Sequence, residues 1–249
     1  MDSQTETVTL SISDGTSMRA FVARPAEKPR AGMLVFQEAF GVNAHIRDVT
    51  QCFANQGYLA IAPELFHRTA PGFEGQYNDF NSAAPHMRAM TDAGTEADIR
   101  AAFDWVPKDL ATAAVGYCMG GRMATLAALT VPLACGISYY GGGIAPNPTF
   151  PGLLERLGAI QAPMLFFWGG RDAHLGPDKW QAVTNAMRTA EKPFVNVEFS
   201  EANHAFFNDA RDSYNAAAAA EAWALTLAFL DRHLASESSG ANRASKSSS

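Results

Sequence analysis

The chain has 249 residues, of which 47% are hydrophobic, 18% charged and 10% aromatic. A disordered chain carries fewer apolar residues and more charge, so this is the composition of a folded globular protein, in one large α/β domain or two small ones. With 25 acidic against 19 basic residues the formal charge is −6. That argues against nucleic acid as the main partner, because phosphate contacts need a basic patch.

The first elements read as a hairpin. Thr7 to Ile12 alternates, Asp14-Gly15 is a turn signal, and Met18 to Ala23 returns. Gly32 to Gln37 is an apolar run, as expected for a strand covered on both faces. Asn43 can cap a helix over 43–56 that carries Ile46, Val49 and Phe53 on one stripe. Tyr58 to Ala62 is another buried strand, stopped by Pro63. Residues 64–90 read as an irregular loop rich in Pro, Gly and aromatics, and loops of that length are usually functional or mobile. Thr95-x-x-Asp98 resembles a capping box ahead of Ile99, Phe103 and Val106.

The second half alternates strands and helices. Strands are predicted at 113–117, 134–140, 164–168 and 194–199, and helices at 119–129, from Pro177 onward, and at 213–235. The stretch from Met123 to Leu154 has no charged residue, but Pro132, Pro146, Pro148, Pro151 and the run Gly141 to Gly143 exclude a membrane helix. The alternation from 32 to 235 without a linker predicts one domain over 1–235, a three-layer α/β fold with a mostly parallel sheet. The polar end, 236–249, is expected to be a disordered tail. The start lacks a basic segment followed by an apolar run, so a cytoplasmic protein is the default expectation.

Three cysteines, Cys52, Cys118 and Cys135, make no disulfide framework, and no CxxC or His/Asp/Glu spacing asks for a metal. Cys52 and Cys135 read as buried filler, Trp180, Met187 and Trp223 as core residues, and His45 and His174 as surface or loop positions. Cys118 is different. It lies in Gly116-Tyr117-Cys118-Met119-Gly120-Gly121, between a buried strand and a helix. This is the G-x-C-x-G form of the nucleophile elbow, a strained turn whose flanking positions must be small. The helix that follows aims its positive end at the sulfur. In the α/β-hydrolase order an acid and then a histidine follow the nucleophile. Asp172 comes after the strand 164–168, and His204 after the strand 194–199, so both fall on the same sheet edge as Cys118. In that arrangement His204 is acid and base, and Asp172 orients it.

The segments Gln37-Glu38-Ala39-Phe40-Gly41-Val42-Asn43, Pro63-Glu64-Leu65-Phe66, Gly116 to Gly121 and His204-Ala-Phe-Phe207 together resemble the dienelactone hydrolase (carboxymethylenebutenolidase) family over roughly residues 5–235. The resemblance implies an eight-stranded α/β-hydrolase fold and a Cys-His-Asp triad with neither metal nor cofactor. It also implies that Glu38 lies beside the thiol and helps govern its ionisation. The backbone N–H groups of Ala39 and Met119 are the expected oxyanion hole.

The sequence departs from the family in its arginines. Family members hold the substrate carboxylate with one arginine from the segment after the Pro-acidic-Leu-aromatic motif and one four residues past the histidine. Here the second position is Asn208, and Thr69 to Met87 contains no arginine. Two such contacts are worth about 1.5–3 kcal/mol each. Nothing in the sequence places Arg68 or Arg88 as substitutes. The expected substrate is therefore an apolar or aromatic ester, or an uncharged lactone, rather than dienelactone. Phe40, Tyr77, Phe80, Tyr140 and Asn208 are the candidate pocket residues. The expected partner is that small molecule, with no nucleic acid or membrane, acting on a monomer or small homo-oligomer. Two other readings share the fold: a binding or sensing protein without turnover, and a thioester or amide hydrolase.

Overall fold

The computed structural model describes residues 3–234. The tail expected over 236–249 lies outside them.

Three strands open the chain: β1 (Gln4–Ser11), β2 (Ser17–Arg24) and β3 (Ala31–Phe36). After α1 (Ala44–Asn55) and β4 (Tyr58–Pro63) come α2 (Phe80–Ala89), α3 (Asp92–Trp105) and β5 (Thr112–Tyr117). Then follow α4 (Met119–Thr130), β6 (Cys135–Tyr139), a short 3-10 turn, β7 (Met164–Gly169), α5 (Pro177–Thr189), β8 (Phe194–Phe199) and α6 (Ala216–Leu234). The sheet order is β1-β2-β4-β3-β5-β6-β7-β8. β3 to β8 run parallel, and β2 runs against β4. Every residue of β3, β4, β5, β6 and β7 is buried, which explains their unbroken apolar runs.

Neighbouring residues of a strand point to opposite faces. On β6, Ser138 lies against Gly121 of α4, while the Tyr139 hydroxyl is 2.7 Å from Thr226 Oγ1 and donates to the Ala222 carbonyl of α6. The two helices therefore cover opposite faces of the sheet. α1 meets α6 through Phe53 and Trp223, 4.9 Å between ring centres. The parallel registers run from Phe36 beside Gly116 to Tyr117 beside Tyr139 and Gly169 beside Phe199. They bring the segments after β3, β5, β7 and β8 to one edge.

Several sequence expectations are corrected. Residues 64–90 are not wholly irregular, since α2 occupies 80–89 with Asp79 capping the Ser82 N–H. Pro85 inside that helix hides it from a sequence reading, because proline removes an N–H and normally ends a helix. α3 begins a turn earlier than the Thr95-x-x-Asp98 pattern suggests. Thr91 is its cap, accepting from the Gly94 N–H, while Thr95 and Asp98 are buried inside the helix. Asp98 binds His67 and Arg68 instead of a helix N–H. α6 starts at Ala216, where Asn215 accepts from the Ala218 N–H. Cys52 is exposed rather than core filler, and His45 is buried in α1 rather than at the surface.

Candidate active site

The elbow forms because backbone meets backbone. A side chain at Gly116 would run into the Gly120 carbonyl, and one at Gly120 into the carbonyls of Phe36 and Gln37. Cys118 sits between them at φ 55° and ψ −117°, a conformation that costs an L residue about 1–3 kcal/mol. Its N–H donates to the Tyr139 carbonyl (3.0 Å), and its carbonyl accepts from Gly121 (3.0 Å) and Gly142 (3.2 Å). Its side chain is half-buried at the head of α4.

β7 delivers Asp172 and β8 delivers His204. The Asp172 carboxylate accepts from the backbone N–H groups of His174 and Leu175 through Oδ1, and lies 2.6 Å from His204 Nδ1 through Oδ2. Burial pushes the Asp172 carboxyl up, but the His204 hydrogen bond and charge and the two N–H groups together hold it below its ordinary range. Burial would also pull the His204 imidazole down. The charge of the Cys118 sulfur and the hydrogen bond and charge of Asp172 together outweigh burial, and the imidazole is raised to about 10. Asp172 and His204 are thus hydrogen-bonded to each other, and the Cys118 sulfur is near enough to His204 to raise its proton affinity.

Glu38 leaves β3 at the same edge and is 1% exposed. Its Oε2 accepts from Asn208 Nδ2 at 2.8 Å, and its Oε1 has no hydrogen-bond partner. The preceding Gln37 accepts from the Leu65 N–H, which pins the 63–66 segment beside it. Among the described residues, the N–H groups of Ala39 and Met119 have no acceptor.

The expected pocket residues divide into two groups. Phe40, Tyr77 and Phe80 form an edge-on aromatic cluster, with centroids 5.0 Å and 6.4 Å from the Phe40 ring, and Phe80 is exposed. The Tyr77 hydroxyl accepts from Asn43. Tyr140 and Asn208, by contrast, are wholly buried and present no surface to a ligand. The Tyr140 ring packs 5.1 Å from His204, and Asn208 spends its amide on Glu38. Arg68 is committed to Asp14 and Asp98, and Arg88 is exposed on the last turn of α2.

Sequence reasoning missed one residue. The Arg211 guanidinium lies over Phe40 (5.7 Å) and Tyr77 (5.5 Å), with no carboxylate partner among the described residues. The only signal in the sequence was an arginine three positions past Asn208.

Comparison with known proteins agrees with this fold and edge. The chain is 31% identical over 234 residues to the carboxymethylenebutenolidase of Pseudomonas putida, covering 91% of this chain and 96% of that one. A Yersinia pestis protein provisionally given the same name is 32% identical over 233 residues, covering 89% and 86%. A crystal structure from Klebsiella pneumoniae subsp. pneumoniae, provisionally described as a dienelactone hydrolase, superposes with a TM-score of 0.79 at 30% identity, over 92% of this chain and 99% of that one. The model of the dienelactone hydrolase family matches residues 18–234, and the chain accordingly belongs to that family of ester and lactone hydrolases with the α/β-hydrolase fold.

Proposed function

We propose that the protein cleaves an ester or lactone through a covalent acyl-enzyme on Cys118. The observation that carries this reading is the 2.6 Å bond from His204 to Asp172 on the sheet edge that also holds Cys118, where the neighbouring sulfur and carboxylate raise the imidazole to about 10. The sulfur attacks the carbonyl carbon, and the electron pair moves to the oxygen, which the Ala39 and Met119 N–H groups receive. The C–O bond then breaks, and His204 gives its proton to the leaving oxygen. In the thioester that remains, Cys118 no longer carries charge. The main cause that raised His204 is then gone, and the imidazole falls to where it can take a proton from water. Water attacks the acyl carbon and Cys118 departs as thiolate. Glu38 has an unpaired oxygen at this edge and is a second place for the thiol proton in the resting protein.

Cys118→Ala and His204→Ala are expected to abolish turnover of an activated aryl ester, and Asp172→Asn to lower it at least about a hundredfold. Mass spectrometry of the quenched wild type should show the acyl group on Cys118. Full activity in Cys118→Ala would remove the mechanism.

The cluster Phe40, Tyr77 and Phe80 suits an apolar or aromatic substrate. Arg211 favours a second reading, because a guanidinium held on two rings without a carboxylate partner can hold an anion. A matched pair of lactones, one carboxylated and one neutral, separates the two. If Arg211 reads a carboxylate, Arg211→Ala raises KM about tenfold or more for the charged lactone alone. Equal change on both, or none, leaves the neutral substrate as the better reading.

A further inference from the structure

Arg122 is one turn into α4 and 1% exposed, and nothing in the mechanism above uses it. A buried guanidinium is costly unless every face is satisfied. Its Nε donates to the Gly143 carbonyl at 3.0 Å, and its Nη2 donates to Asp92 at 2.6 Å. The plane lies over the Phe150 ring at 4.7 Å. Asp92 is in turn held by Arg156, which also binds Glu96. The Gly143 carbonyl belongs to the loop after β6, where Gly142 donates its N–H to the Cys118 carbonyl. A side chain at Gly121 would meet the Gly141 backbone, so α4 and this loop touch directly. A continuous path therefore runs from Asp92, at the start of α3, through Arg122 and Gly143 to the strained residue at 118.

We propose that Arg122 is a positioning residue: anchored on Asp92 and Phe150, it holds the Gly141 to Gly143 loop so that Gly142 fixes the Cys118 carbonyl and keeps the elbow in its reactive conformation. The strain at φ 55° needs such a hold, because a conformation of this cost persists only where its surroundings determine it. The Met119 N–H leaves the same turn, so a slack elbow misplaces both the sulfur and one oxyanion donor. Loss of donor geometry appears in kcat more than in KM.

This inference rests on Cys118 being the nucleophile, and its test separates the two. Arg122→Lys keeps a positive charge but reaches only one of the two partners. Asp92→Asn acts from a more exposed site and guards against a lysine variant that fails to fold. In protein that melts cooperatively, both should lower kcat for an aryl ester, about tenfold or more for Arg122→Lys and less for Asp92→Asn, with KM within about twofold. Hydrogen exchange at the Gly142 N–H, followed by NMR, should accelerate in parallel. A kcat within twofold of wild type in both variants overturns the proposal, whether or not the exchange changes. If Cys118→Ala itself retains turnover, the nucleophile assignment has failed instead, and unchanged Gly142 exchange in Arg122→Lys would then reject the hold on the loop independently.

Discussion

Asp172 uses one oxygen on two backbone N–H groups and the other on His204, so its carboxylate is fixed at both oxygens. His204 is hydrogen-bonded to that carboxylate, and its raised value has a direct test. An NMR titration of the imidazole should find it protonated through neutral pH and losing its proton near pH 10. In Cys118→Ala the transition should move back toward the ordinary 6.5, because the sulfur is the leading cause of the rise. A wild-type transition at 6.5 would mean that the sulfur and imidazole do not interact. Glu38 shows the opposite economy, with one oxygen bonded to a neutral amide and one left open. Asn208 is a neutral partner and places no positive charge against it.

Among the elements, the start of α3 is where pattern and physics part company. Thr95-x-x-Asp98 has the spacing of a capping box, yet both residues lie one turn inside the helix. Asp98 has a stronger obligation to His67 and to Arg68, both on the segment after β4. The cap that matters is Thr91. Thr91→Ala should cost about 1 kcal/mol in urea unfolding, the usual worth of a threonine cap. No loss on Thr91→Ala, with a cap-sized loss on Thr95→Ala, would favour the sequence reading. α2 was missed for a related reason. Pro85 is tolerated there although it removes one backbone donor, and a sequence rule that ends helices at proline passes over it.

Across the whole molecule, local signals were legible and distant pairings were not. Buried parallel strands announce themselves as continuous apolar runs, so β3 to β7 were readable. The elbow was readable because its glycines are dictated by close backbone contacts within a few residues. That Asp172 and His204 meet at one edge was readable from their order and from their places at strand ends. The bond between Glu38 and Asn208 joins residues 170 positions apart, and the Arg211 stack joins segments after β3, β4 and β8. No periodicity or spacing encodes such meetings, which exist only once the sheet has brought its carboxyl ends together. The same applies to the burial of His45, whose ring packs near Tyr117 and Phe207 from distant parts of the chain.

The glycine-walled bend at residue 118 carries a last consequence. Its neighbours are constrained by collisions of main chain with main chain, so almost nothing around the tip can vary. The tip itself meets no such constraint. The fold therefore dictates the location of the side-chain atom at 118 while leaving its element open, and a hydroxyl could occupy the same point as the sulfur. If the proposed chemistry resides at this tip, it is separable from the main-chain socket that holds it.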